Sequence, residues 1–285
     1  MRRRGSHPTL VLCRSVWPGN STPWPTRGSG RTRWVLTGSG RKAERAVSRY
    51  TRVVVKLSGA AFAGTAAAGT DPVCLGRMAD EVASVHDPGV QIAVCRWRGN
   101  YFRGTPASSW GIGRAEADEI GMLGTVMNAL MLRAALTTRG EPDVRVMTAV
   151  AMQSVAEPFI RLCADRHLRR GRIVLLAGGT GQPCVIADYA AVQRSLELSA
   201  DALLVAKRGV DGVYDSDAKT HPDAKRYAHL TYQKGDRAKG ECDGHLRFPP
   251  AEEQNLVMHV FDVAAAGTTP AICEGRDIGT RITAA

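Results

Sequence analysis

Three short segments carry side chains that can handle phosphate. Lys56-Leu57-Ser58-Gly59 directly follows the apolar run Val53-Val54-Val55. A lysine at the end of a buried strand can hold a phosphoryl group in transfer, and the glycine after it bares backbone N–H donors. The same lysine can simply reach solvent, and spacing alone does not separate the two readings. A second segment, residues 173–177, opens into Gly178-Gly179-Thr180-Gly181-Gln182-Pro183, a Gly-rich turn ahead of a helix that many αβ units share. The third covers residues 202–232, ALLVAKRGVDGVYDSDAKTHPDAKRYAHLTY. Its apolar start reads as a strand buried on both faces, and Gly209, Asp211 and Gly212 follow. Glycines there let backbone amides approach a ligand, and Tyr214 beside them can stack on a base. An Asp-Gly pair is also an ordinary turn signal, and spacing alone does not decide between that and a nucleotide-handling loop.

These segments need elements to position them. From residue 51 the chain alternates short apolar runs with helical periodicities. Strands are expected at residues 53–55, 91–95, 143–148, 173–177 and 202–206. Helices are expected over residues 75–86, 115–136 and 188–198, with a further one inside 156–168. The long helix carries Leu123, Val126, Met127, Leu130 and Met131 on one side. Buried strands alternating with helices argue for a three-layer αβα, α/β fold around a central, mostly parallel sheet. Ligands of such folds bind beyond the carboxyl ends of the strands, where Lys56, Gly99, Gly179 and Asp211 fall. Residues 234–250 are polar, contain Gly and Pro, and are expected to form a loop or insertion.

The chain has 285 residues and a formal net charge of +11. That charge is unevenly placed: residues 1–50 hold eleven basic side chains against one acidic, Glu44, while the remainder holds 27 against 26. The body, residues 51–285, is therefore nearly neutral. The first fifty residues lack periodic apolar positions and are expected to be a disordered basic leader. A polyanion-binding arm, a targeting peptide and translated sequence upstream of the true start are the readings open for it. Seven cysteines, with no C-x-x-C, signal neither a disulfide framework nor a zinc site. No run reaches ~18 uninterrupted apolar residues. A reducing cytoplasm fits this cysteine usage best.

Residues 202–232 closely resemble the nucleotide-binding segment of bacterial uridylate (UMP) kinases, of the amino-acid-kinase superfamily. The resemblance runs over about residues 52–232 and resumes faintly at Leu256-Val257-Met258. It implies an enzyme transferring the γ-phosphate of ATP, with Mg²⁺, to UMP. Lys56, Asp188 and Lys207 would be the catalytic residues by this resemblance. ATP would meet Lys56, Ser58, Gly59, Gly99, Arg103, Arg208, Tyr214 and Asp217. UMP would meet Arg98, Asp118, Thr180, Gly181, Gln182 and Pro183, with Asp118 otherwise read as a solvated helix aspartate. A cytoplasmic homohexamer regulated by GTP and UTP is implied too, with nucleotides as partners and nucleic acid only through the leader.

The chain departs from the family pattern in four places. Trp97 and Arg98 stand at glycine positions, and Cys184, Val185, Ile186 and Ala187 replace two aromatic residues and two threonines. Ala206 holds the usual lysine position with Lys207 displaced by one, and His259 stands where the family has aspartate. A one-residue displacement in a strand points a side chain to the opposite face. These departures leave open a catalytically impaired paralogue that binds nucleotide or a partner, or a kinase for another small phosphate or phosphonate acceptor.

Overall fold

Continuous Val, Leu, Ile and Ala runs become strands because only a sheet covered on both sides buries every side chain of such a run. The computed structural model describes residues 48–64, 68–86, 89–95, 99–102, 109–141, 143–216, 221, 223–235 and 249–284. Residues 1–47 of the expected leader lie outside these, as do Trp97, Arg98, Arg103 and Asp217 and most of the expected insertion. Residues 48–50, the last of that expected leader, are described and pack against the body. Tyr50 is buried, and the Arg49 N–H donates to the Cys273 carbonyl at 2.6 Å.

The strands are β1 (Arg52–Leu57), β2 (Gln91–Cys95), β3 (Val144–Thr148), β4 (Glu157–Pro158), β5 (Ile173–Ala177), β6 (Ala202–Lys207), β7 (His229–Thr231), β8 (Val257–Asp262) and β9 (Thr280–Thr283). They form one nine-stranded sheet in the order β4-β3-β5-β2-β1-β6-β8-β9-β7. Every pairing is parallel except β8 with β9. The chain lays β2, β3 and β4 outward on one side of β1, inserts β5 between β2 and β3, then crosses to lay β6 on the other side of β1. Such a reversal opens a crevice at the carboxyl ends of the central strands.

Helices cover both faces. On one side lie α1 (Gly59–Ala63), α2 (Pro72–His86), α3 (Arg114–Thr138) and α8 (Thr268–Cys273), which pack Phe62, Met78, Val82, Leu132 and Ile272 against Val53, Val55 and Leu57. On the other lie α4 (Arg161–Arg169), α5 (Ala187–Glu197), α6 (Tyr232–Gly235) and α7 (Pro249–Glu253), which enclose Val54, Leu203 and Val205. Two cores therefore sandwich one sheet, in three layers.

Helix α3 corrects the expected apolar side. Its buried stripe is Met122, Val126, Ala129, Leu132 and Leu136, while Leu123 and Met127 are 46% and 49% exposed. Small residues, Ala117, Gly121 and Ala129, share that buried face, a placement that hydrophobicity alone does not encode. By length and composition α3 is also apolar enough to cross a bilayer. Half of its most apolar stretch is buried within the protein, and that buried face carries Asp118, Thr125 and Asn128. These are the marks of a core helix.

His259 lies in the middle of β8 and is 2% exposed. Its Nε2 is 2.8 Å from the Tyr50 hydroxyl, and its Nδ1 has no hydrogen-bond partner among the described residues. Burial, reinforced by the charges of Arg281 and Arg49, pushes its pKa from 6.5 down to about 4. The folded state thus holds His259 neutral where the unfolded chain takes up a proton. Its contribution is complete above pH ~6.5 and is lost progressively as the pH falls toward ~4. Urea unfolding should show about 2 kcal/mol less stability at pH 5 than at pH 7 from this group. A His259→Leu variant should show a shallower loss over the same range.

Candidate active site

Side chains alternate along β1, so Lys56 falls on the face of Val54, the face covered by α5. There its ammonium forms an ion pair with the Asp188 carboxylate in the first turn of α5. Both side chains are largely buried, at 6% and 14% exposure. Lys56 is register partner to Cys95 of β2 on one side and to Val205 of β6 on the other, and Cys95 in turn partners Leu176 of β5. A cavity opens beside this row, lined among others by Cys95, Asp118, Thr125, Thr180, Ala191 and Arg194.

The wall of that cavity is the turn after β5. Gly178 adopts φ +75° and Gly181 φ +80°. Added Cβ atoms would meet Thr148 Oγ1 at 2.9 Å and the Ala149 carbonyl at 3.0 Å respectively. Only glycine satisfies both the backbone conformation and the close approach of the β3 loop. Three helix side chains then fix the turn. The Gly178 N–H donates to Thr125 Oγ1 at 2.8 Å, and Arg194 Nη2 donates to the Gly179 carbonyl at 2.9 Å. The Cys184 N–H, at φ +62°, donates to Asp118 Oδ2 at 2.9 Å. Asp118, 2% exposed, also accepts from Arg114 Nε at 3.0 Å. Gly179 and Thr180 both line the cavity. Successive backbone N–H groups of a glycine-rich turn can attract an anion.

The other half of the site follows β6. Asp211, on the turn, takes a 2.6 Å hydrogen bond from the Tyr214 hydroxyl and pairs with Arg226 at 3.1 Å. The bond to Asp211, and then burial, push the Tyr214 phenol above its usual pKa, so it stays a protonated donor. The turn is anchored to β9 through Thr280, whose Oγ1 accepts from the Val213 N–H at 2.8 Å and donates to the Tyr227 carbonyl at 2.5 Å. Arg208 reaches back to the Gly64 carbonyl at the end of α1.

Lys207 shows the expected reversal of face relative to Ala206. Strand β6 is regular through Lys207. Ala206 packs with Leu57 on the α2–α3 side, while Leu203 and Val205 lie on the other. By alternation Lys207 lies on the face opposite to Ala206, the family's lysine position, and that is the face Lys56 occupies. Of the other expected residues, Thr180, Gln182 and Asp118 line one cavity with Arg194. Ser58 and Gly59 begin α1 beside Lys56, and Gly99 takes φ +102° just after β2. Gly181 and Pro183 belong to the turn itself, and Tyr214 sits across β1 from it.

Several residues here escaped the sequence reading. Thr125, Asn128, Arg194 and Asn100 all carry structural contacts to these loops. Asn100 and Asn128 exchange amide hydrogen bonds of 3.0 and 2.8 Å, and Asn100 also donates to the Gly69 carbonyl at 2.9 Å, fixing the loop after β2. A usable signal was present: Thr125 and Asn128 are polar interruptions in the apolar stretch GMLGTVMNALML. Among the described residues no group of three or more His, Cys, Asp or Glu could hold a metal ion.

The amino acid kinase family matches residues 51–262. A uridylate kinase of Frankia alni is 49% identical over 236 residues, covering 83% of this chain and 92% of that protein. One from Oenococcus oeni is 44% identical over 236 residues, covering 82% and 97%. Among solved structures, the UMP kinase of Bacillus anthracis is similar with a TM-score of 0.78 and 43% identity, covering 82% of this chain and 96% of that one.

The tightness of the turn predicts a graded effect of added methyl groups. Gly178→Ala combines backbone strain with the clash at Thr148 and should cost about 2–3 kcal/mol. Gly171→Ala, at φ +69° but in open space, should cost only about 1 kcal/mol. Urea unfolding of the two variants measures the difference.

Proposed function

The chain belongs to the amino acid kinase family and, within it, to the uridylate kinases, and from that membership we propose that it phosphorylates UMP with ATP. A UMP phosphate oxygen forms the new bond to the γ-phosphorus, the bond from that phosphorus to the β-bridging oxygen breaks, and ADP and UDP leave. The second ionisation of a phosphate monoester lies near pH ~6, so the acceptor oxygen arrives already deprotonated. No general base is needed. The work is positioning and stabilisation of charge.

The observation that carries this reading is the Lys56–Asp188 ion pair at the carboxyl end of β1, beside the cavity walled by the turn after β5. Lys56 would spread its charge over the moving phosphoryl oxygens, with Asp188 fixing the ammonium in place. The amides of Gly179 and Thr180, with Asp118, would hold the acceptor. Lys207, Tyr214 and Ser58 would meet ATP from the β6 side, joined by Gly59, Gly99 and Arg208. Arg98, Arg103 and Asp217 keep their proposed nucleotide roles.

A magnesium ion would arrive on the ATP phosphates, since Mg²⁺ is commonly held by one or two carboxylates plus substrate phosphates rather than by a protein cage. The donor set here suits that mode, because Asp188 stands beside a lysine and not within a carboxylate cluster. When bound, the ion neutralises charge on the phosphate oxygens. We place the enzyme in the cytoplasm, as a homo-oligomer. Its hexameric form and nucleotide regulation are the finer expectations, and the exposed α3 stripe of Ile120, Leu123 and Met127 offers an apolar contact for a second copy.

The test is ADP and UDP formation by the full chain with ATP, Mg²⁺ and UMP. Lys56→Met should lower kcat by about 10²–10³-fold while the variant remains folded and still binds UMP. A wild-type chain that binds UMP without forming UDP would replace this reading with that of an impaired paralogue.

A further inference from the structure

We propose that Arg194 is a positioning residue for the acceptor nucleotide, acting through the carbonyl of Gly179. The inference rests on the functional reading above. Arg194 lies on α5, the helix that carries Asp188, and is 6% exposed. Its guanidinium is engaged on three sides. Nη1 donates to Glu197 Oε2 at 2.6 Å, Nη2 donates to the Gly179 carbonyl at 2.9 Å, and the plane lies over the Phe159 ring at 3.8 Å from the centroid. Phe159 is itself fixed to the end of β3, because its N–H donates to the Thr148 carbonyl at 2.9 Å.

Peptide planarity turns this contact into control of the site. The carbonyl of Gly179 and the N–H of Thr180 belong to one planar trans unit and point in opposite directions. Holding the carbonyl on Arg194 therefore fixes where the Thr180 N–H points. The restraint is needed because Gly179, which supplies the carbonyl of that peptide, takes positive φ and has no side chain to fix it. A planar five-donor fork can bond Glu197, bond Gly179 and stack on Phe159 together, whereas an ammonium cannot do all three. Because α5 carries both Arg194 and Asp188, one rigid helix sets the geometry of the turn and of Lys56 together.

Steady-state kinetics of the full chain, with UMP and ATP varied separately, tests the assignment. Arg194→Met should raise the UMP KM by about tenfold or more while the ATP KM stays within about twofold. Calorimetric titration with UMP alone should weaken in parallel. Arg194→Lys and Phe159→Leu disturb the packing less and should show the same split at about threefold; they carry the test if Arg194→Met does not fold. A purely structural role would lower thermal stability and change both KM values alike. That result, or an unchanged UMP KM in a folded Arg194→Met variant of an active wild type, would overturn the inference. Wild-type protein unable to make UDP would overturn the functional reading instead.

Discussion

A lysine and an aspartate withdrawn from water between β1 and α5 are the constraint on which the rest of this structure depends. Removing two charges from solvent carries a desolvation penalty of several kcal/mol per ion, and the attraction between them offsets it only when the geometry is held. That geometry comes from elsewhere. Ala191 and Val192 seat α5 in the core, and Lys56 is fixed by strands on both sides of β1. The pair is a poor source of stability compared with well-packed apolar side chains. Its placement at the carboxyl end of the central strand makes sense as chemistry.

The polar groups around it follow a common logic. Asp118, Thr125 and Asn128 lie on the buried face of α3, and each is spent on a loop backbone or on a loop side chain: Cys184, Gly178 and Asn100 respectively. A buried polar atom is costly unless bonded, so these contacts also leave the loops little freedom to take other paths. The loops at the candidate site are thereby held by a single helix, α3. The chain uses α3 as scaffold for one half of the site, and β9, through Thr280, for the other.

Much of the sheet was legible in the sequence because parallel strands buried on both faces leave unbroken apolar runs. The turns after β1, β5 and β6 were legible too, since their glycines interrupt those runs at strand ends. The buried face of α3 was not, because Leu123 and Met127 are as apolar as Met122 and Val126 and only packing separates them. The face of Lys207, opposite to Ala206, was legible as well, because β6 stays regular and its side chains alternate. Arg194 and Phe159 meet through the adjacency of segments distant in sequence, as do Tyr50 and His259. None of these pairs leaves a local pattern to read.

The central position of β1 also governs how the chain must acquire its structure. Val53 pairs with Ala202, about 150 residues downstream, while β2 covers only the other edge. Long-range parallel pairing closes a large loop before any contact rewards it, so assembly of such a sheet is intrinsically slow. Until β6 arrives, Val53-Val54-Val55 presents an unpaired apolar edge of the type that recruits other chains. The strand that bears Lys56 therefore keeps one edge open until the chain has been made as far as β6.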